Sequence, residues 1–122
     1  MKTILIAEDD IFLANAYRVK FEKKEFNVLL AGDGIEVLDI LSKKTPNIIL
    51  LDLVMPNMDG FTTLVEIKKN KKFEKIPIIV ASNLGQKEDV ERATQNGADD
   101  FIIKSDTTME EIYNKVASLL KL

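Results

Sequence analysis

The sequence contains no cysteine and no histidine. Without cysteine the chain has neither disulfides nor thiolate chemistry, and without histidine it lacks an imidazole base and the commonest ligand of transition metals. Any bound metal must therefore be a hard cation held by oxygen. Long apolar runs are also missing, because the N-terminal run MKTILIA meets Glu8, Asp9 and Asp10 at once. We therefore expect no signal peptide, no membrane span and a cytoplasmic location.

The chain also lacks a strong excess of either charge. Its 122 residues carry 17 basic and 20 acidic side chains, which gives a formal net charge of −3. Both signs are mixed along the chain, so we expect no direct binding to nucleic acid or to an anionic membrane. The length and a hydrophobic content of 46% predict a single domain over residues 1–122, with no attached output domain.

Five short apolar runs alternate with stretches of helical spacing. The runs are TILIA (3–7), VLLA (28–31), IILL (48–51), PIIVA (77–81) and FII (101–103). Apolar residues three or four apart predict amphipathic helices between them. The buried face is predicted to include Ala16 in the first helix and Ile35 in the second, and Thr107 with Glu110 predicts a capping box on the last. This alternation predicts parallel strands joined by right-handed crossovers, hence a three-layer α/β/α sandwich.

A single carboxylate follows the most apolar of the predicted strands. The run Ile48–Leu51 shows no polar alternation, which is typical of a strand buried on both faces of a parallel sheet. Asp52 ends the run, and turn residues follow at Met55-Pro56 and Asp59-Gly60. Asp52 is therefore predicted at the carboxyl end of a central strand, where open α/β sheets bind ligands.

The other strand ends bring further charged and polar groups to the same edge. The first run delivers Glu8 and Asp9, the fourth Ser82 and the fifth Lys104. Carboxylates this close require a raised pKa or a bound cation, and an oxygen-only donor set suits Mg²⁺. A hydroxyl and an ammonium opposite them could hold a dianionic group. The pattern indicates a site that places a phosphoryl group on Asp52.

Two further aspartates have simpler interpretations. Asp10 is predicted to be the N-cap of the first helix. Asp33-Gly34 is predicted to start the second helix, and we assign it no chemistry.

Four separated motifs together resemble the receiver domain of two-component response regulators. They are Glu8-Asp9, Asp52 within LDLVMPNMDG, Ser82 after PIIVA, and Lys104 after DFII. The resemblance covers essentially the whole chain. It implies a flavodoxin-like (βα)5 fold with the parallel strand order 2-1-3-4-5.

The resemblance implies a role for each acidic residue. Asp52 would take a phosphoryl group from the phosphohistidine of a sensor histidine kinase or a histidine phosphotransfer protein. Asp9, Asp52 and the backbone carbonyl of Val54 would ligate Mg²⁺, and Glu8 would act mainly through water. The protein would catalyse only its own phosphorylation and dephosphorylation, and is not expected to be an enzyme on other substrates.

The resemblance also implies a switch. Lys104 would neutralise charge during transfer, and Ser82 would then be drawn to a phosphoryl oxygen. Phe101 occupies the aromatic switch position and would turn inward as Ser82 moves. This would remodel the face made by the fourth and fifth helices and the fifth strand, for a downstream protein target. The chain would be a monomer or a phosphorylation-dependent dimer.

The sequence departs from the family pattern at two places. Lys104 is followed by Ser105 where the family usually has proline, often after a cis bond. Since a cis bond before another residue costs roughly 2.5–4 kcal/mol, either a trans bond with a shifted loop or a strained cis bond is expected. Val54 and Leu84 are apolar where some members carry polar residues that help position the hydrolytic water. Our hypothesis is that this pair slows phosphoryl loss.

Other function classes remain as alternatives. A small phosphatase with an aspartyl-phosphate intermediate would need an acid soon after the nucleophile, where the chain has Leu53 and Val54. A flavin-binding electron carrier would need a hydroxyl-rich phosphate loop after the first strand, where three acids stand instead. A receiver-like scaffold that binds partners without phosphorylation is compatible with Ser105.

Overall fold

The central feature of the molecule is a five-stranded parallel sheet. The computed structural model describes residues 1–122. The strands are β1 (Thr3–Ala7), β2 (Asn27–Ala31), β3 (Ile48–Leu51), β4 (Ile78–Ser82) and β5 (Asp100–Ile103). All neighbouring pairs are parallel, and their order is β2-β1-β3-β4-β5. The predicted flavodoxin-like fold is therefore confirmed.

Five helices cover the two faces of the sheet. They are α1 (Ile11–Lys23), α2 (Gly34–Leu41), α3 (Gly60–Lys69), α4 (Lys87–Gln95) and α5 (Met109–Leu120). One core cluster joins the sheet to α2, α3 and α4, and a second joins it to α1 and α5. No helix has the length and apolar character required to cross a membrane.

The strand interiors supply both clusters because successive side chains point to opposite faces. In β1, Leu5 belongs to the cluster beneath α2 and α3, whereas Ile4 and Ile6 belong to the cluster beneath α1 and α5. Every residue of β3 is buried. The apolar run before Asp52 is thus a central strand covered on both sides, as predicted.

Two predictions about helix faces are wrong. The buried residues of α1 are Ala14, Tyr17 and Phe21, which are spaced three and four positions apart. Ala16, which was predicted to be buried, is exposed. In α2 the buried stripe is Val37 and Leu41, so Ile35 faces solvent with 55% of its surface exposed. Apolar residues three or four positions apart do not by themselves determine which of them face the core.

The capping prediction for the last helix is wrong by one residue. A single turn of 3₁₀ helix occupies Lys104–Asp106, and the Thr107 hydroxyl donates back to the Ile103 carbonyl at 2.8 Å. The helix therefore begins later, and Thr108 with Glu111 forms the capping box. Asp10 does cap α1, as predicted, because its side chain accepts from two backbone amides of the first turn.

Candidate functional site

Three carboxylates meet where β1 and β3 end. Ala7 pairs with Leu51 in the parallel register, so Glu8 and Asp52 leave the sheet side by side. The Asp52 amide also donates to the Ala7 carbonyl at 3.0 Å. One carboxylate oxygen from each of Glu8, Asp9 and Asp52 lies within 4.8 Å of the others. Glu8 and Asp52 are buried and Asp9 is exposed, so the cluster opens to solvent on one side.

Lys104 reaches this cluster from the end of β5. Its ammonium lies 2.7 Å from a Glu8 oxygen and 3.0 Å from an Asp52 oxygen. β4 separates β5 from β3, so the contact uses the length of the lysine side chain. One half-buried cation therefore contacts two buried anions, and removing it would leave both carboxylates without their compensating charge.

Burial and hydrogen bonding shift the pKa values of two members of this cluster, Glu8 and Lys104. Burial raises the pKa of Glu8, and hydrogen bonds from Lys104 and from the Asp10 amide offset only part of this effect. Burial alone would lower the pKa of Lys104, but its hydrogen bonds to Glu8 and Asp52 outweigh burial and the pKa is raised. Lys104 therefore stays protonated at neutral pH, and an added cation would favour the ionised form of Glu8.

Ser82 lies at the end of β4 on the rim of an open depression. Only 1% of its surface is exposed, and its hydroxyl oxygen accepts from the Leu84 amide at 3.1 Å. The depression has a volume of about 450 Å³, enough for a small anion and its water. It is lined by Glu8, Asp9, Asp10, Asp52, Val54, Ser82, Asn83, Leu84 and Lys104.

The peptide bond after Lys104 is trans, which excludes the strained cis alternative. The Ser105 amide donates to the Asn83 side chain at 3.0 Å, which ties this loop to the segment after β4. The serine therefore does not prevent Lys104 from reaching Asp52.

The remaining predicted residues lie at different distances from the cluster. The Val54 amide donates to an Asp52 side-chain oxygen at 3.3 Å, and 58% of the Val54 surface is exposed. Leu84 is also exposed beside the depression. Phe101 lies apart from the depression, half-buried on β5 against the cluster that contains α2, α3 and α4.

Sequence reasoning missed one polar pair, which joins the loop after Asp52 to the start of α2. The Asn57 amide group donates to the Asp33 carboxylate at 2.6 Å. Asn57 directly follows Pro56, and asparagine in a turn is a signal for positive φ. The φ of Asn57 is indeed 65°. Nothing in the sequence indicates its partner, which lies 24 positions earlier.

Residues 4–117 match the family described as response regulator receiver domain. One relative is the "DNA-binding dual master transcriptional regulator RpaA" of Synechocystis, which is 31% identical over 121 residues. That match covers 99% of this chain and 50% of the relative. The chain spans about half the length of the curated relatives it matches.

Solved structures of receiver domains have the same fold. The receiver domain of the Francisella response regulator 1452 is 28% identical, with a TM-score of 0.91 and coverage of 99% of this chain and 98% of that one. The receiver domain of the Pseudomonas aeruginosa sensor histidine kinase PA1611 is 23% identical, with a TM-score of 0.87 and coverage of 96% and 95%. The latter holds a magnesium ion coordinated in its active-site cleft. At this identity the likeness concerns the fold alone.

Proposed function

Because the chain belongs to the response regulator receiver domain family, we propose that it accepts a phosphoryl group on Asp52 and thereby changes its signalling state. One observation carries the proposal. Two buried carboxylates at adjacent strand ends share the single ammonium of Lys104, and an exposed third carboxylate adjoins them. A fold has no structural need for this arrangement, whereas phosphoryl transfer uses positioned charges of both signs.

The transfer forms one bond and breaks one. A carboxylate oxygen of Asp52 attacks phosphorus, and the bond from phosphorus to the donor's histidine nitrogen breaks with its electron pair staying on the nitrogen. The product is an acyl phosphate with added negative charge beside Lys104, which lies 3.0 Å from Asp52 before transfer. The Ser82 hydroxyl accepts a hydrogen bond from the Leu84 amide, so its own hydrogen can be donated to a phosphoryl oxygen.

The donor set of the acidic cluster fits Mg²⁺. It consists of carboxylate oxygens within 4.8 Å of one another, together with a backbone carbonyl on the adjoining Val54. In our proposal Asp9, Asp52 and the Val54 carbonyl would hold the ion directly and Glu8 would act through water. When bound, the cation supplies positive charge against the phosphoryl oxygens. The Pseudomonas receiver, which has the same fold, holds magnesium in its active-site cleft, and this supports Mg²⁺ as the cation we propose.

We further propose a sensor histidine kinase or a histidine phosphotransfer protein as the donor. Ser82 and Phe101 would act together as the switch, since they lie on adjacent strands β4 and β5. The readout would be the face of α4, β5 and α5, offered to a protein rather than directly to DNA because the chain has a formal net charge of −3.

The scaffold alternative loses its main support. It rested on the departure from the family pattern at Ser105, and the preceding Lys104 nevertheless contacts both Glu8 and Asp52. A phosphorylation-independent scaffold would also gain nothing from burying these charges together.

Intact mass after incubation with acetyl phosphate and Mg²⁺ tests the proposed function. The wild type should gain about 80 Da, the mass of one phosphoryl group, in a metal-dependent reaction. Asp52→Asn should gain nothing. Asp59→Asn is the matched control, because Asp59 is an exposed N-cap of α3 and asparagine is an equally good cap. An adduct on Asp52→Asn, or none on the wild type with a phosphohistidine donor, would contradict the proposal.

A further inference from the structure

The two Asp-Gly turns of this protein differ in what the aspartate contacts. Asp59 is exposed, and its side chain accepts only from the Thr62 amide, as an N-cap does. Asp33 is buried, and it accepts both from the Glu36 amide at 2.8 Å and from the Asn57 side chain at 2.6 Å. Capping α2 therefore accounts for only one of the two contacts of Asp33.

Asn57 lies at the tip of an unusual turn. Its φ is 65°, and the Met58 amide donates to the Pro56 carbonyl at 2.7 Å, two residues back. A hydrogen bond of this span around a residue with positive φ defines a classic γ-turn, which is rare and strained. Such a conformation persists only where the surroundings hold it. Here the surroundings are the Asp33 carboxylate and the Gly34 amide, which donates to the Met58 carbonyl at 3.1 Å.

The start of α2 is itself fixed against α3. A Cβ at Gly34 would lie 2.0 Å from the Thr63 hydroxyl oxygen and 2.8 Å from the Met58 side chain. The two helix starts therefore approach more closely than any residue with a side chain would permit. The carboxylate of Asp33 is in this way held at a fixed place beside the loop.

The other end of the loop is closed onto Asp52. The Gly60 amide donates to the Leu53 carbonyl at 2.9 Å, and a Cβ at Gly60 would lie 2.1 Å from the Asp52 carbonyl oxygen. The Val54 amide donates to the Asp52 side chain at 3.3 Å. The peptide of Val54 therefore lies in a short segment between the closure at Leu53 and the γ-turn at Asn57.

We propose that Asp33 is a positioning residue for the Mg²⁺ site: by holding Asn57 it holds the γ-turn and with it the carbonyl of Val54. This rests on the proposed function, in which that carbonyl is a ligand. The hydrogen bond from Asn57 lowers the pKa of Asp33, so the contact is charge-assisted at neutral pH. Mutation of a residue that supports a metal ligand typically weakens metal affinity by about 10–100-fold.

Exchanging the two side chains provides the test. Asn57→Asp sets two carboxylates against each other without a donor, and Asp33→Asn leaves only a neutral amide contact in place of the charge-assisted one, whereas the double variant restores one amide facing one carboxylate and keeps an N-cap on α2. By calorimetry we expect Asn57→Asp to bind Mg²⁺ about tenfold more weakly, Asp33→Asn to be weakened less, and the double variant to recover to within about threefold of the wild type. Charge alone predicts the opposite for Asn57→Asp, because an added carboxylate near the site would tighten binding.

Two variants separate positioning from general stability. Asn57→Gly loses the contact to Asp33 but adopts positive φ without strain, so it should keep its denaturation midpoint and still bind Mg²⁺ more weakly. Its loop amides should also exchange faster with deuterium in metal-free protein. Thr108→Ala removes the distant cap of α5, so it should lower the midpoint while leaving Mg²⁺ affinity within about twofold.

The outcomes distinguish this inference from the proposed function. Wild-type affinity in Asp33→Asn and Asn57→Gly would overturn the positioning role alone. A weakened double variant would also overturn it, since the restored pair should restore binding. A wild type that binds no Mg²⁺ would overturn both the inference and the metal part of the proposed function.

Discussion

Leu50 and Asp52 lie two residues apart at the end of β3, and both are almost completely buried, with 2% and 5% of their surfaces exposed. For Leu50, removal from water is itself favourable, and its neighbours on the sheet are equally apolar. For Asp52, removal from water is unfavourable and is balanced only by the hydrogen bond from Lys104 and the surrounding polar groups.

The same contrast holds between the strand interiors and their carboxyl ends throughout the sheet. The interiors stabilise the fold without requiring any particular partner for each side chain. The ends place Glu8 and Asp52 together around one ammonium, an arrangement that depends on each of its members. We therefore expect the interior to supply the stability of the fold and the buried charges at the edge to reduce it, as is typical of functional sites.

The largest expected effect is at the interior. Leu5→Ala should lower the free energy of unfolding by about 3 kcal/mol, because Leu5 is fully buried and its removal leaves a cavity. Chemical denaturation measures this change. The affinity of the remaining folded protein for Mg²⁺ should stay unchanged, since the carboxylates are unaltered. A parallel loss of affinity would show that the interior and the edge are not separable.

Removing the shared cation should give a smaller loss that depends on pH. Lys104→Met should lower the free energy of unfolding by about 2 kcal/mol at pH 7, because two buried carboxylates lose their partner. The pKa of Glu8, already raised by burial, should rise further. Above that pKa the ionised Glu8 destabilises the fold fully; as the pH falls below it the deficit should shrink, and it should be smallest below the ordinary pKa of the carboxyl.

Urea denaturation at several pH values measures this deficit. Lys115→Met is the control, because Lys115 forms a half-exposed pair with Asp100 and should change stability little at any pH. A deficit for Lys104→Met that is constant or grows as the pH falls would contradict the account of Glu8.

Neutralising Glu8 should change the free energy of unfolding in the opposite direction. Glu8→Gln should raise the free energy of unfolding by about 1 kcal/mol at pH 7, because it removes a buried charge and keeps an acceptor for Lys104. The gain should shrink as the pH falls through the raised pKa of Glu8, and it should vanish only below the ordinary pKa of this carboxyl, where the unfolded chain is protonated as well.

Glu110→Gln makes a useful comparison, because the pKa of this exposed carboxylate is lowered by its hydrogen bond from Lys20. Its neutralisation should therefore reduce stability above its ordinary pKa rather than increase it. If Glu8→Gln is also destabilising at pH 7, the edge does not lower stability as we describe.

The smallest effect on stability is expected at the rim. Val54→Asn should leave the free energy of unfolding within about 0.5 kcal/mol, because the side chain is mostly exposed. It should nevertheless speed loss of the phosphoryl group, because an amide can orient a water beside Asp52. The decay of the phosphorylated mass over time measures this rate. Val19→Asn, at an exposed position on α1, is the control and should not change the rate.

Much of the fold was predictable because strands and helices have strong periodic signals. The unbroken run Ile48–Leu51 predicted a central strand, and parallel strands bring their carboxyl ends to one edge whatever their spacing in sequence. For the same reason Glu8, Asp52 and Lys104 could be predicted to meet.

The exact residue at which a helix begins and the contacts between separate loops were not predictable. The capping box was predicted at Thr107 but is formed by Thr108, because a short 3₁₀ turn precedes α5. The contact between Asp33 and Asn57 joins two loops whose relative position depends on helix packing at Gly34. Local propensity carries no information about such a pairing.

The most direct test of the central claim is the stability of the protein as a function of Mg²⁺ concentration. If the carboxylates at the strand ends form a cation site, the free energy of unfolding should rise by about 1.4 kcal/mol when free Mg²⁺ reaches ten times its Kd. The rise should be absent in Asp52→Asn and should not be reproduced by sodium chloride of equal ionic strength. A wild-type stability that is the same with and without Mg²⁺ would contradict the account.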